Sequence, residues 1–130
     1  MKIMVGYRGK EAGRELLHLA VKHAKAFDAE ILLVTSMRGG ESVELEKFDQ
    51  AEETLENAKE FIEKQGIKVE TKFLVRGLNP GEDLVNFSRE AKVDAIIIGV
   101  KSRSKVGKLV FGSTAQVVIL EADCPVLSVK

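Results

Sequence analysis

Three short apolar runs, each followed by a stretch of helical periodicity, restrict this chain to very few folds. Ile3–Val5, Ile31–Val34 and Ala95–Ile98 are too brief for helices and contain no alternating polar positions. Runs of this kind are strands buried on both faces, as in the middle of a parallel sheet. The expected strands are Lys2–Tyr7, Glu30–Met37 and Asp94–Gly99.

The stretches between them are helical. Lys10–Phe27 places Leu16, Leu17, Ala20, Ala24 and Phe27 on one stripe. After Arg38-Gly39-Gly40, Phe48, Ala51, Leu55, Ala58 and Ile62 step by threes and fours until Gly66 ends the helix. Ile67–Val75 differs, because Lys68, Glu70 and Lys72 alternate with apolar positions. A wetter face of this kind belongs to a strand at a sheet edge. Asn79-Pro80-Gly81-Glu82 starts a third helix reaching Ala91, a fourth runs from Gly112 to Ala122, and Pro125–Val129 forms a last strand.

Strands joined by helical crossovers give an α/β fold: a three-layer α/β/α sandwich around a five-stranded parallel sheet. The apolar strands are central and the alternating one lies outside, so the expected order is 3-2-1-4-5. Ligands of such sheets bind beyond the carboxyl ends of the strands at the topological switch, here between strands one and four. Gly6–Lys10 and Gly99–Ser113 fall at that place.

The 130 residues fit one domain, 1–130, and a 45% hydrophobic content supplies its core. Lys+Arg and Asp+Glu balance at 20 each, which argues against a broad nucleic-acid surface. Cys124 is alone, so no intramolecular disulfide framework is expected. The opening MKIMVGYRGK reads as neither signal peptide nor membrane span, and a reducing cytoplasm is the expected compartment.

The richest chemistry lies in residues 94–116. Lys101, Arg103, Lys105 and Lys108 follow Gly99 with no acid before Gly112, and Gly112-Ser113 opens a helix. Helix amides at that position lack intrahelical partners and favour an anion, so a phosphate site is expected. Neither G-x-x-x-x-G-K-[ST] nor G-x-G-x-x-G occurs. A second reading of the same residues is structural. Ser113-Thr114-Ala115-Gln116 fits a capping box in which serine and glutamine satisfy the free amides themselves.

Other reactive residues carry less. His18 and His23 are five apart on one helix and make a poor metal pair, and Cys124 reads as a packed thiol. No acid–base pair or nucleophile with its base assembles, so dedicated catalysis is not expected, while slow ATP hydrolysis by a bound water stays open.

Gly99-x-x-Ser102, nine residues, Gly112-Ser113 and a closing CPVLSVK strongly resemble the universal stress protein family. The resemblance spans the whole chain, including VGYRG near its start. It implies an adenine nucleotide alpha hydrolase-like fold and a sensor or regulator that binds ATP, ADP, AMP or a related phosphate ligand. It further implies that Gly99, Ser102, Gly112, Ser113 and Thr114 hold phosphate and ribose, with Lys101 and Arg103 screening charge. Gly6, Tyr7, Arg8 and Val34 would border the base. Magnesium can accompany a triphosphate, without a dedicated carboxylate ligand. The resemblance also implies a homodimer through Pro125–Val129, and no nucleic-acid or membrane partner.

Two positions depart from the ATP-binding branch. Ser102 stands where a second glycine is expected, and Arg8 where an aspartate meets adenine. Arginine has no acceptor to offer the adenine amino group, though its fork can stack on a base or pair with phosphate. These departures support an alternative: a nucleotide-free homodimer whose surface carries a stress-response interaction.

Overall fold

A computed structural model describes residues 1–40, 45–103 and 109–130, with backbone alone for 10–12, 101–103, 109 and 110. The elements are β1 (Lys2–Gly6), α1 (Lys10–Phe27), β2 (Glu30–Met37), α2 (Leu45–Lys64), β3 (Val69–Val75), α3 (Pro80–Ala91), β4 (Ala95–Gly99), β5 (Lys101–Arg103), β6 (Leu109–Phe111), α4 (Ser113–Glu121) and β7 (Val126–Val129). The main sheet is five-stranded and ordered β3-β2-β1-β4-β7, with every pair parallel. That is the 3-2-1-4-5 order expected from the sequence, with the alternating strand β3 at one edge.

Side-chain parity along the strands builds the layers. Ile3, Val5, Ile31, Leu33 and Ile97 face α1 and α2, where Leu16, Leu17, Ala20, Leu55, Ala58 and Ile62 are buried against them. Met4, Leu32, Val34, Ile96 and Ile98 face the other way, onto Leu84 and Val85 of α3 and Val118 of α4. Ile3, Met4, Leu33, Ile96 and Ile97 are among the largest fully buried side chains, so the apolar runs form the centre of the molecule. At about 25 cal/mol per Å² of apolar surface, each such side chain contributes roughly 1.5–3 kcal/mol to folding.

Three expectations need correction. Phe27 is 59% exposed and does not join the helix-one stripe. It is the last residue of α1, beyond the buried Ala24, and its ring lies against His23 with 6.3 Å between centroids. The segment after β4 is also more ordered than a plain basic loop. Lys101–Arg103 pairs antiparallel with Leu109–Phe111 as a two-stranded ribbon separate from the main sheet. Lys105 and Lys108 lie outside the described residues. The third correction concerns α4, whose N-cap is Gly112 in extended conformation with no side-chain cap bond. Ser113 is already inside the first turn, so the expected capping box does not form.

Candidate functional site

The carboxyl ends of β1 and β2 open into a crevice of 920 Å³. Its walls are Tyr7, Arg8 and Gly9 after β1, Thr35 to Arg38 at the end of β2, and the Lys47–Asn57 side of α2, with Pro80 and Thr114 closing the far side. The volume is within the range of small-molecule sites, about 300–1,000 Å³.

Parallel topology explains why three helix starts meet there. α1 and α3 follow β1 and β3 and begin at their carboxyl ends, and α4 starts beside the end of β4, where the Gly112 amide meets the Val100 carbonyl. Their N-caps are Gly9, Asn79 and Gly112, and none makes a side-chain cap hydrogen bond. Gly9, Pro80 and Thr114 put all three starts on the crevice wall. Each helix start carries roughly half a positive charge, so the crevice favours an anion. At α4 the Gly112 amide is taken by the Val100 carbonyl at 2.8 Å, and Gln116 makes the first helical bond, to the Gly112 carbonyl. The amides of Ser113, Thr114 and Ala115 precede that bond.

Close backbone approach sets these positions. A Cβ at Gly81 would stand 2.8 Å from the Cβ of Val117, so glycine lets the start of α3 pack directly on α4. A Cβ at Gly13 would stand 2.8 Å from Cε1 of Tyr7, which keeps the phenol pressed on α1. Tyr7 is tied to β2 as well. Its amide donates to the Val34 carbonyl at 2.9 Å, and the Thr35 hydroxyl donates to the Tyr7 carbonyl at 2.8 Å. Burial raises the Tyr7 pKa above the ordinary phenol value.

The residues singled out from the sequence therefore divide. Tyr7, Arg8 and Thr114 line the crevice. Gly6 is buried beneath it, and its missing side chain would touch Leu84 and Ile98. Val34 is fully buried in the α3/α4 layer, and its neighbours Thr35 and Ser36 form the wall instead. Gly99 pairs with Val129 at the end of β4, Gly112 caps α4, and Ser113 is exposed on its first turn. Lys101, Ser102 and Arg103 form β5, with Ser102 in register with Val110.

Sequence reasoning missed a buried acid. Asp83 is 0% exposed on α3 and accepts from the Ser36 hydroxyl at 2.7 Å and from Arg76 Nε at 2.6 Å. Arg76 also donates to Glu90 at 2.8 Å and lies 5.8 Å from the Phe87 ring centre. Glu90, then Asp83, hold the Arg76 guanidinium above its ordinary pKa. Ser36 thus connects the crevice wall to an ion-pair network on the α3 side.

The Universal stress protein family profile matches residues 1–130. A universal stress protein of Methanocaldococcus jannaschii is 30% identical over 141 residues, covering 99% of this chain and 81% of that relative. The structure of a universal stress protein from Archaeoglobus fulgidus superposes with a TM-score of 0.90 at 38% identity, covering 100% of this chain and 98% of the other. A universal stress protein of the same organism, solved in complex with dAMP, gives 0.85 at 34% identity, with 100% and 98% coverage.

Proposed function

This chain belongs to the universal stress protein family, and on that premise we propose that it binds an adenine nucleotide and acts as a sensor or regulator in the cytoplasm. The observation that carries this reading is the convergence of three helix starts without side-chain caps on one crevice. The relative solved with dAMP, at 34% identity, supports the same ligand class here. Function in this reading is recognition rather than turnover, carried by one domain spanning residues 1–130.

The phosphate lies at the start of α4, held by the Ser113 and Thr114 amides and the Ser113 hydroxyl. Gly99 and Gly112 give it room on the strand-four side of the switch. Lys101, Ser102 and Arg103, on the ribbon before α4, complete the anion side. The nucleoside lies toward Gly6, Tyr7 and Arg8 and the Val34–Ser36 end of β2. ATP, ADP and AMP share this arrangement. Glu53 is the one carboxylate lining the crevice among the described residues, so a magnesium ion would ride on a triphosphate and its waters. The partner is a second copy of the chain, joined through Pro125–Val129, because β7 ends the sheet order and leaves one edge unpaired within the chain.

Calorimetric titration with AMP, ADP and ATP, with and without magnesium, tests the reading alongside the variant Ser113→Asp. A carboxylate in the first turn of α4 favours the helix by about 0.3–1 kcal/mol yet repels phosphate. Binding by the wild-type chain, lost in a variant that melts no lower, is the expected result. No binding of any of the three nucleotides would overturn the reading and leave the exposed sheet edge as the functional surface.

A further inference from the structure

We propose that the crevice takes a nucleotide carrying a second phosphate remote from the first, with Arg8, Arg38 and Lys47 as its cradle; this rests on the nucleotide reading above. The three cations line one crevice, and the acid lining it is Glu53. Among the described residues none of the three cations is in a salt bridge. Glu53 is the α2 carboxylate that faces them across the crevice. Asp49, Glu52 and Glu56 line a neighbouring groove with Thr71 and Phe73, on the β3 side of the helix, which shares Glu53 with the crevice.

The backbone beneath two of these cations is fixed. Arg8 stands between Tyr7, whose carbonyl accepts from Thr35, and Gly9, whose φ of +112° makes the turn into α1. Arg38 accepts from the Gly77 amide at 3.0 Å and precedes Gly39, where φ is +81° and a Cβ would stand 2.6 Å from Val75. Cations that sit on fixed backbone and, among the described residues, have no carboxylate partner favour an anion.

The cradle is distinct from the helix-start site. The Gly112 cap of α4 is bonded to Val100, just past β4, whereas Arg38 follows β2, and β1 lies between the two strands. Neighbouring strands are about 4.8 Å apart, so the two anion-favouring ends are offset laterally by roughly 10 Å. A single phosphate at α4 leaves Arg8, Arg38 and Lys47 unanswered. A nucleotide with another phosphate on its ribose, or a second nucleotide unit, answers both ends. Shared chemistry unites these ligands: two phosphoryl groups separated by a nucleoside.

The test compares AMP with adenosine 3′,5′-bisphosphate and with a cyclic dinucleotide by calorimetry at low and moderate salt. At least one doubly phosphorylated ligand is expected to bind about tenfold or more tightly than AMP, with a steeper loss on adding salt. In Arg38→Gln/Lys47→Gln the ratio of the two affinities falls toward one. Which of the two ligands gains separates a ribose phosphate from a second nucleotide unit. AMP binding with neither ligand gaining, or a gain that persists in the double variant, overturns the cradle and leaves the nucleotide reading intact. Absence of binding by all three overturns both.

Discussion

The Ser36 hydroxyl donates to Asp83 at 2.7 Å, so the crevice end of β2 and the first turn of α3 share one buried carboxylate. Asp83 carries no exposed surface and also accepts from Arg76 Nε at 2.6 Å. Asp83→Ala removes both acceptors at once, leaving the Ser36 hydroxyl and part of the Arg76 guanidinium without partners. Arg76 keeps Glu90 and is a third exposed, which moderates the loss. We expect destabilisation of about 2–3 kcal/mol for Asp83→Ala and a smaller loss, about 1 kcal/mol, for Ser36→Ala. Urea unfolding of both variants and the double variant checks this. Additive losses would mean that the two groups do not interact.

The Tyr7–Gly13 contact predicts an unusual response to alanine. In an exposed helix, glycine to alanine gains up to about 1 kcal/mol of helix propensity. Here the new methyl would stand 2.8 Å from Tyr7 Cε1 and 3.0 Å from its hydroxyl. Tyr7 is held at its own backbone by β2, so the ring must turn toward the crevice. Gly13→Ala is therefore expected to destabilise the fold by about 1–3 kcal/mol and to weaken nucleotide binding. Thermal melting and calorimetry read the two effects separately. A variant more stable than wild type would show that the ring yields freely.

How much of this was legible in the sequence follows from how local each feature is. Strands β1, β2 and β4 are apolar on both faces because both faces are covered, so Ile31–Val34 announced its place without any knowledge of its partners. Their order followed from β3, where Glu70 and Lys72, with Lys68 just before the strand, marked the edge. The β5–β6 ribbon was not legible, since Lys-Ser-Arg shows no apolar alternation and three residues define no period. Asp83 was hidden for another reason. An acid in the first turn of a helix is ordinary, and only the arrival of Ser36 and Arg76 from distant elements makes this one a buried ion pair. A signal existed nonetheless: Asp83 is four residues before the apolar Phe87 and directly before the buried Leu84 and Val85. Val34 and Thr35 show the same limit on a finer scale. The resemblance placed Val34 beside the base, but strand parity turns Val34 into the α3/α4 layer and leaves Thr35 on the crevice wall.

Tyr7 offers a pH test free of interference, because the chain has one tyrosine and no tryptophan. Burial disfavours the phenolate, so the folded pKa lies above the ordinary value of 10.0. The sign follows from linkage. The stability contributed by the neutral phenol is fully present below the unfolded pKa near 10 and is lost as pH rises through the higher folded value. Titration by phenolate absorbance should show a midpoint above that of the urea-unfolded chain. A bound nucleotide covering the ring should raise it further. Equal midpoints in the folded and unfolded chain would place the phenol in water.

The far edge of the sheet yields the last expectation. β7 pairs with β4 on one side only, and around it Leu127, Ile119 and Leu120 are 38%, 39% and 74% exposed. An unpaired apolar strand edge invites another strand, and a second copy of β7 can bury these side chains together. Leu127→Lys puts a charge on that edge, on the sheet face that Leu127 shares with its register partner Ile97. If the chain pairs through Pro125–Val129, sedimentation at micromolar concentration should show a dimer for wild type and a monomer for Leu127→Lys. Leu127 is not among the residues that line the crevice, so AMP affinity should change less than the dimer equilibrium does. A monomeric wild type, or a variant that dimerises as tightly as wild type, would remove this edge as the joint.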